Sequence, residues 1–176
     1  MDPIVVYGYK KNGEKKFKHE MKYKLKNRKR LENLKIQHYK KKELPRLKKC
    51  SQLKELTLSN NSFEKLAYDF LKSCGELKRF ELKNNPNLWR IPYPFFNDCQ
   101  QLEYFEFSDN NKVDILPRDL FINCKNLKEF VCRNNSITMF HKDLFKNCGF
   151  LRTFQCNNTN ITSLPSQLFK HNKCLT

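Results

Sequence analysis

Eight cysteines and four histidines are the residues of this 176-residue chain best suited to chemistry. A cysteine can close a cystine, hold a metal as thiolate, or attack as a nucleophile. A zinc site wants closely spaced ligands, and the sequence holds no Cys-x-x-Cys. His19, His38, His141 and His171 are not spaced as paired ligands either. Asp109, Asp114, Asp119 and Asp143 could serve as acids or bases beside His141, but only if one pocket gathered them. Four glycines in the whole chain argue against phosphate-cradling loops and dinucleotide turns. Asn-x-Ser/Thr triplets begin at Asn60, Asn134, Asn157 and Asn160 and have the form of glycan acceptors.

The spacing of the cysteines points away from chemistry and toward architecture. Cys50, Cys74, Cys99, Cys124 and Cys148 recur at intervals of 24, 25, 25 and 24 residues. Each opens one phrase. Its first leucine is Leu53, Leu77, Leu102, Leu127 or Leu151, followed by Leu56, Phe80, Phe105, Phe130 or Phe154. Two residues on stand Leu58, Leu82, Phe107, Cys132 or Cys156, and then Asn61, Asn85, Asn110 and Asn135, with Thr159 in the last copy. Each phrase ends on a late apolar pair such as Phe95-Phe96 or Leu120-Phe121. Apolar residues at period two are what a short strand with one buried face requires. No such strand is stable alone, so successive copies must stack as a parallel sheet with the return segments behind. The asparagine triplets arise where this repeat already places asparagine beside a polar turn residue.

The phrase resembles the leucine-rich repeat family, whose pattern is Leu-x-x-Leu-x-Leu-x-x-Asn-x-Leu in units of 20 to 29 residues. The resemblance covers residues 28–172 as about six coils. The first is degenerate, with Arg28 for the cysteine and Tyr39 for the asparagine. It implies an α/β, strand-dominated solenoid with a parallel concave sheet. Short turns or 3₁₀ pieces fill the convex side, as at Leu-Pro-x-x-Leu-Phe over 116–121 and 164–169. Single extra residues around Pro86-Asn87 and Asn111-Lys112 read as loop insertions. Phe80, Phe105, Phe130 and Phe154 should form an aromatic column inside, and the asparagines should satisfy backbone groups of neighbouring coils.

Within this register the five recurring cysteines and the strand residues Cys132 and Cys156 read as small buried hydrophobes, reduced, with disulfides between neighbouring coils the lesser alternative. Cys174 lies outside the register, because Asn172 holds the repeat position. Reduced thiols imply an intracellular, cytoplasmic protein. The opening nine residues agree, having too short an apolar run for a secretory signal. No apolar window reaches the roughly 18 residues of a transmembrane segment.

Charge divides the chain. Residues 1–50 hold 18 of the 35 basic residues but 5 of the 18 acidic ones. Val5, Tyr7 and Tyr9, then Phe17, Met21 and Tyr23, alternate with polar residues around Lys11-Asn12-Gly13-Glu14. They read as a basic β-hairpin cap over 1–27, with Tyr9 opposite Phe17 and Val5 opposite Met21. After Leu168-Phe169 no cap pattern is legible. Residues 171–176 cover the last coil, a partner does, or the sequence is cut short there.

The register also names the solvent-facing side chains. Arg79, Tyr104, Val131 and Arg133 project from adjacent strands beside Glu81, Glu106, Glu129 and Gln155. Aromatic and arginine anchors in a mixed-charge surround have the composition of a protein interface. Family members commonly bind proteins on this face, so the resemblance implies a non-enzymatic scaffold, without cofactor or metal, that holds or inhibits a protein partner. It extends to effector proteins of intracellular bacteria, which implies delivery into a host cell and a host protein or an inhibited enzyme as partner. The competing reading is nucleic-acid or acidic-membrane binding by the basic end, where aromatics interleave the charge.

Overall fold

A computed structural model of the chain describes residues 4–7, 31–44, 46–47 and 50–176. Seven strands form one parallel sheet: β1 (Ile4–Tyr7), β2 (Asn33–Gln37), β4 (Glu55–Ser59), β6 (Arg79–Lys83), β7 (Tyr104–Ser108), β8 (Glu129–Arg133) and β9 (Thr153–Asn157). They lie in that order, each paired in register with the next, so the sheet spans about 29 Å at ordinary strand spacing. A second, two-residue ladder joins β3 (Glu43–Leu44) to β5 (Lys65–Leu66), and an isolated bridge joins Ile115 to Met139 further along. No helix forms among the described residues. The return segments are successive turns, such as Leu120 N–H to Pro117 O at 3.1 Å and Leu168 N–H to Pro165 O at 2.9 Å.

The expected register holds throughout. Leu56, Phe80, Phe105 and Phe130 are buried and in direct cross-strand register. Phe80, Phe105, Phe130 and Phe154 stack at centroid distances of 5.8, 6.0 and 5.6 Å. The late apolar pairs add a second column, Phe96, Phe121, Phe145 and Phe169, at 5.7, 5.6 and 6.0 Å. Rings of the two columns meet edge to face, as at Phe130–Phe145, 5.0 Å apart. Edge-to-face contact sets the positive rim of one ring against the negative face of another.

The buried asparagines form the ladder that their spacing predicts. The backbone N–H groups of Asn61, Asn85 and Asn110 donate to the side-chain oxygens of Asn85, Asn110 and Asn135 at 3.3, 3.1 and 2.9 Å. Each amide nitrogen reaches back a coil, as from Asn110 Nδ2 to Leu82 O at 2.8 Å. The extra residues after Asn85 and Asn110 are absorbed by tight turns, in which Leu88 N–H donates to Asn85 O and Val113 N–H to Asn110 O.

A second column was not legible. His38, Asn60, Asn84, Asp109, Asn134 and Asn158, one per coil, all have φ between 49° and 58°. Left-handed backbone is tolerated by Asn and Asp because their short side chains bond locally. Here they bond to one another, as from Asn134 Nδ2 to Asp109 Oδ1 at 2.9 Å.

One expectation is corrected. Cys50 and Cys74 are joined as a cystine with a Cα separation of 4.9 Å, so the reading of all core cysteines as reduced is corrected. The cause is the stacking itself: a residue repeated in register lies one coil spacing from its copy, which is a disulfide distance. The inference from reduced thiols to an intracellular compartment loses its premise with that pair. Cys99, Cys124 and Cys148 are buried free thiols, and burial pushes Cys99 and Cys148 up to about 12. At the N-terminus, Ile4–Tyr7 pairs parallel with β2, Val5 opposite Lys35. The expected partners of its hairpin, Phe17 and Met21, lie outside the described residues.

Candidate protein-binding face

Side chains of a strand alternate between faces, so the core-facing positions 56, 80, 105 and 130 leave the residues beside them on the concave side. The register sets Arg79, Tyr104 and Glu129 in one row, Glu81, Glu106, Val131 and Gln155 in the next, and Lys83, Ser108 and Arg133 in a third. Arg79, Glu81, Tyr104, Glu106, Val131, Arg133 and Gln155 therefore share one face, with Glu129 beside them.

Four of them belong to one network. The Arg79 guanidinium lies 3.5 Å from the centre of the Tyr104 ring and donates from Nε to Glu81 Oε1 at 2.8 Å. Lys83 Nζ bridges Glu81 Oε2 at 2.8 Å and Glu106 Oε2 at 3.2 Å. The Tyr104 hydroxyl donates to Glu106 Oε2 at 2.8 Å, and Ser108 Oγ to Glu106 Oε1 at 3.1 Å. Partial burial works against ionisation of Glu81, but the hydrogen bonds from Lys83 and Arg79 outweigh it and hold its carboxyl below the ordinary value. Burial, reinforced by the hydrogen bond to the Glu106 carboxylate, pushes the Tyr104 phenol up to about 12. The result is a charge-matched platform whose long side chains are already held by one another, which lowers the side-chain entropy left to lose there.

The other three form a separate group on β8 and β9. Arg133 is exposed and donates to Gln155 Oε1. Val131 shares the face but is 5% exposed, covered by its neighbours rather than presented as an apolar anchor.

Lys83 is the member of this network that sequence reasoning left off the face. Glu81 and Glu106 occupy one row on adjacent strands, and like charges placed so are destabilising unless a cation joins them. Two successive glutamates in that row were the available signal.

Of the acid/base candidates, Asp143 lies 3.7 Å from His141 Nδ1 and 2.9 Å from Arg118, and Asp119 lies 3.7 Å from the same arginine, all on the return side. Among the described residues no group of three or more His, Cys, Asp or Glu forms a metal-binding cluster, and no helix is long and apolar enough to cross a membrane.

A stack of in-register strands with an asparagine ladder and turns behind defines a leucine-rich repeat solenoid. The family model described as BspA type leucine rich repeat region matches residues 15–87 and 46–176 in six copies, and the chain belongs to that family. The match begins at residue 15, inside the segment read above as a cap. No curated protein matches the chain. Among solved structures it is similar to the TLR13–ssRNA13 complex, with 22% identity, a TM-score of 0.72 and 82% of this chain covered against 20% of that one. A leucine-rich repeat protein of Leptospira interrogans gives 24% identity and a TM-score of 0.69, covering 88% of this chain and 38% of that one. The leucine-rich repeat domain of the type III effector XopL gives 19% and 0.67, covering 80% and 49%. These likenesses concern the fold, and the chain spans a half or less of each of those proteins. Leucine-rich repeat proteins generally serve as interaction scaffolds that bind proteins.

Proposed function

We propose that this chain is a non-enzymatic module that binds a protein partner through its concave sheet. Contact centres on the Arg79–Tyr104 stack and extends across Glu81 and Glu106 to Arg133 and Gln155. The observation that carries the reading is the platform itself: a cation–aromatic pair fixed by charged hydrogen bonds, next to an arginine still reachable from solvent. Tyrosine and arginine held in this way are the side chains that dominate binding energy at interfaces. The neutralised patch favours a partner of mixed polarity, and the exposed Arg133 favours an acidic group at its edge. Inhibition of an enzyme, and an effector role inside a host cell, are forms such binding would take; the XopL domain, similar in fold, comes from a type III effector.

The test begins with a partner captured from the native cell and verified with purified components. Tyr104→Ala and Arg133→Ala should each weaken its affinity about tenfold or more. Tyr68→Ala, on the return side, should leave it unchanged. Wild-type affinity in both concave variants overturns the reading. Binding of RNA or acidic lipid by the basic end is separated by salt: phosphate contacts weaken steeply between about 50 and 200 mM.

A further inference from the structure

Two thiols face each other at the far end of the sheet. Cys132 on β8 and Cys156 on β9 are direct partners in the parallel register. Adjacent strands lie about 4.8 Å apart, inside the Cα separation of a disulfide. The chain already joins two neighbouring coils across 4.9 Å at Cys50–Cys74. Cys132 is fully buried, whereas Cys156 is only partly buried, because β9 is the outermost strand of the sheet.

The surroundings of this pair differ from those of the other free thiols. Cys124 and Cys148 point their sulfurs at backbone oxygens of the preceding coil, at 3.8 and 4.0 Å. Cys132 and Cys156 face each other across the two strands, and the neighbouring Cys132 thiol lowers Cys156 below the ordinary value while Cys132 is raised. Two more polar groups attend the sulfurs: Asn135 Nδ2 donates to Cys132 Sγ at 3.4 Å, and Thr159 Oγ1 lies 3.4 Å from Cys156 Sγ. Thr159 is where the last coil departs from asparagine, and that departure leaves a hydroxyl free to reach the thiol.

We propose that Cys156 is a hydroperoxide-reactive thiol and Cys132 its resolving partner, so that oxidation staples β9 to β8. In the first step the Cys156 thiolate attacks the peroxide. The O–O bond breaks, sulfur takes one oxygen as sulfenic acid, and hydroxide leaves. In the second step the Cys132 sulfur attacks the Cys156 sulfur, the S–OH bond breaks, and the Cys132 proton departs with the hydroxyl as water. Sulfur is oxidised by two electrons and peroxide is reduced to water and hydroxide. The staple fixes Gln155, the hydrogen-bond partner of Arg133, on the concave face.

The test treats the folded full chain with hydrogen peroxide, alkylates the remaining thiols, and maps linked peptides by mass spectrometry. Wild type should yield a Cys132–Cys156 peptide, while Cys99, Cys124 and Cys148 stay unoxidised until the chain is denatured. Cys132→Ser should trap a sulfenic acid at Cys156 that dimedone captures. Cys156→Ser should leave Cys132 reduced. Oxidation of the exposed Cys174 with Cys132 and Cys156 still alkylatable, or a Cys156–Cys174 link in place of the expected one, overturns the proposal. The wild-type map decides even if a variant fails to fold.

Discussion

The coils of β6 and β7 and the coil of β9 carry the same phrase with different consequences. In the interior coils Phe80 and Phe105 are wholly buried, Asn85 and Asn110 bond to coils on both sides, and the concave charges close on one another. In the last coil Phe154 and Cys156 are partly exposed, Thr159 replaces the asparagine, and Gln155 has Arg133 as its partner. The oxygen of Asn172, in the cysteine position, is buried without a partner, although its nitrogen donates to Cys148 O at 2.6 Å. A repeat position thus has no fixed chemistry of its own. It acquires one from neighbours on both sides, and a coil flanked on one side leaves part of its strand open to solvent.

The largest test of this contrast removes a ring. Phe105→Ala should cost about 3–5 kcal/mol in urea unfolding, because the ring is buried between two coils and its cavity cannot collapse. Phe154→Ala, half-exposed, should cost clearly less; equal losses would break the contrast. The asparagine ladder comes next. Asn110→Ala strips an acceptor from the Asn85 N–H and a donor from Leu82 O, so a loss of about 2–3 kcal/mol is expected. Thr159→Ala should change stability by less than about 1 kcal/mol.

Reactivity sharpens the same comparison. With its thiol lowered below the ordinary value by the facing Cys132, Cys156 should reach its plateau alkylation rate at a lower pH than an ordinary thiol. A thiol near the ordinary value of about 8.5 keeps accelerating to pH 9. Cys99, pushed up to about 12 by burial, should stay silent in the native chain across that range. The smallest effect lies on the platform. Glu106→Gln removes the carboxylate that helps to hold Tyr104 at about 12, so its phenol should titrate closer to 10 by ultraviolet absorbance. Global stability should move by less than about 1 kcal/mol.

Much of this was legible before any coordinates, because a solenoid turns sequence register into spatial register. Leu56, Phe80, Phe105 and Phe130 align in space as they align on the page, and the concave rows follow by alternation. What stayed hidden are the relations between coils. Cys50 read as a leucine substitute, and only its distance to Cys74 makes the pair a cystine. Lys83 stood in a row of unremarkable polar residues until two carboxylates converged on it. The left-handed column through Asn60, Asp109 and Asn134 was masked by the buried asparagines beside it. Ile4–Tyr7 alternates as a strand does, but the alternation did not announce that its neighbour in the sheet is β2.

Hydroxyl-radical footprinting of the chain, free and bound to its verified partner, tests the concave-face account most directly. Tyr104 should become protected on binding while Tyr68 and Tyr93, exposed on the return side, keep their free-state reactivity. Protection of Tyr68 and Tyr93 with Tyr104 unchanged would contradict it.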